Sequence, residues 1–179
     1  MPFRISLFIA VVSVLLASCN SGISGKDGNS TKDVTMSLRD VEISSNSRSA
    51  RKYYESGRMK MKSQDYYGSV ADYNEAIRLN PKLAGAYMSR GTAKFALGDY
   101  YNAISDFTEA LNLDSYGTIY LSDIYSMRGR AKNRLGDKQG AIEDLQQAVI
   151  LYKKECDAEK ECDAVEYENL RKELVSLQN

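Results

Sequence analysis

The sequence contains no histidine and no tryptophan, and only two of its 179 residues are proline. Without histidine, the chain lacks every mechanism built on an imidazole base and the ligand that most zinc enzymes use. Few prolines, with 43% hydrophobic and 27% charged residues, describe a helical globular chain rather than a disordered one. The 24 basic and 24 acidic residues cancel, and no Lys/Arg-rich run appears, so the sequence disfavours nucleic-acid binding.

The longest apolar run lies at the N-terminus. Arg4 supplies one positive charge, and the segment ISLFIAVVSVLLA follows it at residues 5–17. A helix needs about 20 residues to cross the apolar core of a bilayer, so this shorter run predicts a secretory signal peptide over residues 1–18. It ends in Leu16-Ala17-Ser18-Cys19, which resembles the lipobox of bacterial lipoproteins.

The lipobox resemblance implies that Cys19 is the lipidated first residue of the mature chain. Acyl chains such as palmitate would then hold the protein in a bacterial cell envelope. Asn20 after the cysteine implies the outer membrane rather than the inner one. The alternative is an ordinary secretory signal that happens to end near a cysteine.

A polar segment follows, rich in Ser, Gly, Asn, Lys and Asp. Because it holds few large apolar side chains to bury, residues 19–49 are predicted to form a flexible tether. Apolar residues alternate weakly from Val34 to Ile43. This alternation indicates a short strand or a docking peptide; the alternative is that the segment is part of the flexible tether.

An internal repeat organises the rest of the chain. Tyr53, Tyr87 and Tyr125 begin three similar segments at spacings of 34 and 38 residues. The same offsets align four further sets of positions: Gly57, Gly91 and Gly129; Asp65, Asp99 and Asp137; Tyr73, Phe107 and Leu145; Ala76, Ala110 and Ala148. This pattern resembles the tetratricopeptide repeat (TPR), a helix-turn-helix unit. The resemblance implies an all-α fold, an α-solenoid of three repeats at about 50–83, 84–117 and 122–153.

Local physical chemistry supports the same fold. Between Tyr100 and Leu113 the apolar residues recur at the spacing of an amphipathic helix. Gly98 followed by Asp99 is typical of a helix end and a new helix start. Glycine inside a helix costs about 1 kcal/mol relative to alanine, so the three repeated glycines predict close helix packing. Arg90 and Arg128 stand where leucine is commoner in the family, and they are expected to bury their stems and keep their charged heads in water.

A final apolar stripe lies among Glu and Lys residues near the C-terminus: Ala164, Tyr167, Leu170, Leu174 and Leu177. It predicts a capping helix over 157–179, because an open solenoid end would expose apolar surface. Cys156 and Cys162 are either bridged or two unpaired thiols. Six residues of continuous helix rise about 9 Å, so a bridge requires a break in the helix, which we expect near 153–157.

The sequence contains no phosphate-binding, nucleophile-elbow or zinc-protease motif, so we predict no enzymatic activity, no cofactor and no metal site. The expected function is protein–protein interaction. In TPR proteins the first helix of each repeat lines a concave groove, and the resemblance assigns these groove residues: Arg51, Tyr54, Arg58 and Met61; Met88, Thr92 and Phe95; Asp123, Ser126, Arg130 and Asn133.

The groove residues combine cations with Met and aromatic surface, which suits a peptide that carries acidic groups. The carboxylate clamp of chaperone-binding TPRs does not carry over, because Tyr54, Ser89, Asp123 and Met127 occupy four of its five places. The protein is therefore expected to be an envelope-anchored adaptor or assembly scaffold for an unidentified protein or peptide. The alternative is a lipoprotein that captures a small ligand such as a glycan through exposed tyrosines.

Overall fold

The computed structural model describes residues 38–113, 121–159 and 164–178. Within these ranges it contains seven helices and no strand: α1 (Leu38–Lys62), α2 (Tyr66–Leu79), α3 (Ala84–Ala96), α4 (Tyr100–Leu113), α5 (Leu121–Arg134), α6 (Lys138–Glu159) and α7 (Ala164–Gln178). Residues 1–37, which include the predicted signal peptide and Cys19, lie outside the described residues. None of the described helices has both the length and the apolar character needed to cross a membrane.

The helices form three stacked hairpins and a cap. Each hairpin pairs a first helix with a second one, as α1 with α2, α3 with α4 and α5 with α6. The second helix of one hairpin packs on the first helix of the next, and α7 packs on α6. The predicted all-α solenoid of three repeats with a terminal capping helix is therefore confirmed.

The turn inside each hairpin uses one residue with a left-handed backbone. Gly98 and Gly136 have φ values of 81° and 84°, while Gln64 takes the same place in the first hairpin with φ of 63°. An aspartate follows each of them, and Asp65 and Asp137 accept a hydrogen bond from the amide three residues later, at 2.9 Å. These caps satisfy orphan N–H groups at the start of α2 and α6.

Close packing explains the glycines inside the first helices. A Cβ atom on Gly57 would lie 2.7 Å from the Tyr73 ring, and one on Gly91 would lie 2.9 Å from the Phe107 ring. Tyr73 and Phe107 are themselves fully buried at the centre of their hairpins. The helices of each hairpin therefore approach more closely than any side chain at these positions would permit.

The structure differs from the sequence prediction at the first helix. The predicted tether extends to residue 49, and the alternation from Val34 to Ile43 indicates a strand or a docking peptide, but α1 begins at Leu38. Most of its side chains between 42 and 49 are exposed. No Gly or Pro interrupts the chain between 29 and 56, so a helix nucleated by the first repeat extends backwards at one hydrogen bond per residue.

The expected helix break near 153–157 is also absent. Helix α6 continues to Glu159, and Tyr152 near its end stacks on Tyr167 of α7 with ring centroids 6.4 Å apart. Cys156 is disulfide-bonded, and Cys162 lies outside the described residues, so the bridge between these two cysteines stays a prediction. The capping helix itself begins at Ala164 and buries Leu170.

Candidate functional site

The candidate site is the face formed by the first helices of the three hairpins, called here the groove. Helix α3 contacts both α1 and α5, so these three helices lie side by side. Equivalent positions of α1 and α3 are 34 residues apart, so Tyr54 corresponds to Met88 and Arg58 corresponds to Thr92. The predicted groove residues of α1 and α3 therefore share one surface.

The boundary between α1 and α3 is aromatic. Tyr54 is half-buried, and a Cβ atom added to Gly85 would lie 3.4 Å from its hydroxyl oxygen. The Tyr54 ring also lies 5.9 Å from the ring of Tyr73, between centroids. Burial raises the pKa of Tyr73 to about 12, and a hydrogen bond with Ser89 opposes that shift only in part.

Helix α3 supplies the apolar part of the groove. Met88 and Phe95 are half-buried, and both pack against the core cluster that contains Phe107 and Ile124. Phe95 also meets Tyr100 edge-on, with ring centroids 5.2 Å apart. The remaining exposed part of each side chain is available to a ligand while the buried part holds it in place.

Helix α1 supplies exposed cations. Arg51 is exposed, and the Arg58 side chain is 49% exposed. Arg58 pairs with Glu55 at 3.2 Å, one turn away, and its guanidinium lies 5.9 Å from the Tyr54 ring centroid. Met61, near the end of the same helix, is half-buried.

The third repeat contributes less open surface than the sequence suggested. Ser126 is buried, and its hydroxyl donates to the carbonyl oxygen of Asp123 at 2.9 Å. Arg130 is engaged by the cap, since its guanidinium lies 2.9 Å from Glu173 and 3.7 Å from Glu166. Asn133 and Asp123 remain exposed. Arg130 therefore joins α5 to α7.

Sequence reasoning missed a buried ion-pair network. In the second hairpin, Arg90 donates two hydrogen bonds to Asp106 at 2.6 and 2.9 Å, and Lys94 lies 2.8 Å from the same carboxylate. Asp106 is only 4% exposed. The charged head of Arg90 is thus held by a buried partner, and the expectation that it stays in water is wrong. Its side chain is only 17% exposed.

The third hairpin repeats this network. Arg128 donates two hydrogen bonds to Asp144 at 2.7 and 2.8 Å, and the Lys132 ammonium lies 2.8 Å from the same carboxylate. The hydrogen bond to Asp144 raises the pKa of Arg128 further above its ordinary value, although burial opposes the shift. The signal available in the sequence was an aspartate 16 residues after each arginine.

The first hairpin keeps only part of the network. Ser56 stands at the arginine position, donating to Asp72 at 2.6 Å, and Lys60 lies 2.7 Å from the same carboxylate. Burial acts to raise the pKa of Asp72, but hydrogen bonds from Lys60 and Ser56 outweigh it and lower the pKa below its ordinary value. No group of side chains among the described residues has the composition of a metal site.

Comparison with known families identifies the repeats. A model described as "TPR repeat" matches residues 57–98, and one described as "Tetratricopeptide repeat" matches residues 84–116 and 122–154. Together the matches cover just over half of the chain. The chain belongs to the tetratricopeptide repeat family. Comparison with curated proteins found no match to the sequence.

Solved TPR structures share the fold. The TPR domain of Arabidopsis OM64 is 25% identical, with a TM-score of 0.60 over 73% of this chain and 98% of that one. The TPR2B domain of yeast Sti1, solved as a pHsp70 complex, is 22% identical with a TM-score of 0.62 over 74% of this chain and all of that one. The first TPR of Spaghetti (RPAP3), bound to the HSP90 peptide SRMEEVD, is 23% identical with a TM-score of 0.60 over 74% of this chain and 92% of that one.

Proposed function

We propose that this TPR protein is an adaptor that captures a peptide segment of a partner protein in its groove, and that a lipid on Cys19 anchors it in a bacterial cell envelope. The observation that carries the first part is the half-exposed strip of Tyr54, Met88 and Phe95 beside the exposed arginines of α1. Aromatic anchors that are partly buried in their own protein commonly dominate peptide interfaces. The TPR of Spaghetti that is bound to an HSP90 peptide supports a peptide ligand for the fold.

A crosslinking pull-down from native membranes tests the groove. The full chain should retain a reproducible partner, and Phe95→Ala should lose most of it. Tyr101→Ala is the matched control, since Tyr101 is an exposed aromatic on the second helix of the same repeat. Because Phe95 also packs on Tyr100, Thr92→Tyr serves as a second variant that fills the groove from a half-buried position. Full retention by both groove variants, with normal helicity, would refute the groove.

The lipid anchor rests on the apolar run and the Leu-Ala-Ser-Cys sequence that ends at Cys19. Labelled palmitate should enter the wild-type chain and not Cys19→Ala. The variant should also accumulate as an unprocessed precursor, because cleavage of a lipoprotein precursor requires the lipidated cysteine that this variant lacks. Absence of label from the wild-type protein would remove the anchor from the proposal.

A second candidate function is glycan capture, and one observation favours it. Tyr67 and Tyr101 occupy equivalent positions of adjacent repeats, and they are 79% and 76% exposed. Exposed tyrosines can stack on sugar rings. A glycan array probed with the wild-type chain and with Tyr67→Ala/Tyr101→Ala discriminates the two functions, because binding that depends on these tyrosines would support the second.

A further inference from the structure

Most cations on α3 and α5 are neutralised within the chain. The Arg–Lys pair of each helix holds one buried aspartate, and Arg130 binds Glu166 and Glu173 of α7. A partner would have to break these internal ion pairs to use the charges. Apart from Arg134 at the end of α5, the first helices of the second and third repeats therefore offer little free positive charge to a ligand.

Helix α1 differs in this respect. Between residues 50 and 62 it carries five cations against one carboxylate: Arg51, Lys52, Arg58, Lys60 and Lys62 against Glu55. Of these five cations, Lys60 pairs with Asp72 and Arg58 pairs with Glu55, and Glu55 is itself 51% exposed. The positive field of the groove is thus concentrated at its first helix.

The geometry sets these charges beside the apolar strip. Arg51 and Arg58 lie seven residues apart, so they flank Tyr54 on one side of α1. Met88 and Phe95 lie on the neighbouring helix α3. The surface therefore changes from cationic to apolar across the boundary between two adjacent helices.

We propose that the groove recognises an acidic–apolar peptide, with the carboxylates of the peptide over Arg51 and Arg58 and an adjacent apolar side chain on Met88 and Phe95. This inference rests on the proposed adaptor function and adds the chemistry and position of the ligand. Arginine clusters recognise acidic motifs through charge-assisted hydrogen bonds. Recognition at such exposed sites weakens with salt, because both charges are screened.

Selection from a random dodecapeptide library displayed on phage tests the proposal with the full chain as bait. The wild-type chain should enrich peptides that contain Asp or Glu next to a large apolar residue. Arg51→Glu/Arg58→Glu should lose the acidic enrichment, and it should bind a synthetic copy of the most enriched peptide about tenfold more weakly at low salt, the size expected when exposed attractions become repulsions. Lys153→Glu/Lys154→Glu is the matched control, because it makes the same change of charge at exposed positions of α6.

The outcomes separate this inference from the adaptor function. Acidic enrichment that survives Arg51→Glu/Arg58→Glu, or that is lost equally in the α6 control, would overturn the proposed ligand position. Enrichment of peptides without acidic residues, abolished by Phe95→Ala, would refute the acidic ligand and leave peptide capture intact. A wild-type chain that enriches no peptide would overturn both.

Discussion

The first repeat and the two that follow it share one fold but use their charges differently. In the second and third hairpins an arginine and a lysine converge on one buried aspartate. In the first hairpin Ser56 replaces that arginine, and Arg51 and Arg58 of α1 lie at the surface. Buried arginines thus stabilise the array in two repeats, whereas the exposed Arg51 and Arg58 of the first repeat are available to a ligand.

The largest expected effect comes from removing a buried aspartate. Asp106→Asn leaves Arg90 and Lys94 largely buried without a charged partner, and such losses cost about 3 to 5 kcal/mol. Asp72→Asn should cost clearly less, because the Lys60 side chain is 37% exposed and water can solvate it. Urea unfolding of the two variants, with Glu75→Gln as an exposed control, measures the difference. Equal losses of unfolding free energy in Asp72→Asn and Asp106→Asn would contradict the distinction between the first and second hairpins.

Alkaline pH should weaken the first repeat selectively. The pKa of Tyr73 is about 12 in the folded protein, against an ordinary value of 10.0. Its contribution to stability is therefore complete below pH 10 and is lost as pH rises toward 12. The equivalent residues Phe107 and Leu145 do not titrate. Tyr73→Phe should therefore flatten the dependence of the unfolding free energy on pH between these values. An unchanged slope would show that the loss arises elsewhere.

The sequence predicts the packing within each repeat better than it predicts the ion pairs. The 34-residue spacing of tyrosine, glycine and alanine is enough to predict the hairpins, because packing within one repeat determines which residues occupy those positions. The ion pairs depend on the register of two antiparallel helices, and only the recurring Arg and Asp, 16 residues apart, indicated it. The role of Arg130 depends on the angle at which α7 docks, which a helical stripe does not encode.

Completing the network in the first hairpin should stabilise it modestly. Ser56→Arg would restore the Arg–Lys–Asp trio around Asp72, and a well-placed charge-assisted pair contributes about 1 kcal/mol. The gain should disappear when Asp72→Asn is present, as a double-mutant cycle would show. A gain that persists without the carboxylate would mean that the arginine acts through packing alone.

The smallest expected effect concerns the turn at Gln64. Its φ of 63° lies in the left-handed region that Gly98 and Gly136 adopt in the other hairpins. Gln64→Gly should relieve that strain and raise the unfolding free energy by about 0.5 kcal/mol after the added entropy cost of glycine. Gly98→Ala replaces glycine at the equivalent position of the second hairpin, and it should destabilise that hairpin. A thermal melt that falls for Gln64→Gly would show that the turn is unstrained.

Hydrogen–deuterium exchange of the full chain, with and without the most enriched acidic–apolar peptide, tests the central claim most directly. In the free protein α1 and α2 should exchange faster than α3 to α6, because their hairpin holds the weaker network. Addition of the peptide should protect α1 and α3 most strongly, and Arg51→Glu/Arg58→Glu should remove that protection. Protection confined to α6 and α7, or unaffected by the charge reversal, would contradict the assignment of the first-repeat cations to ligand binding.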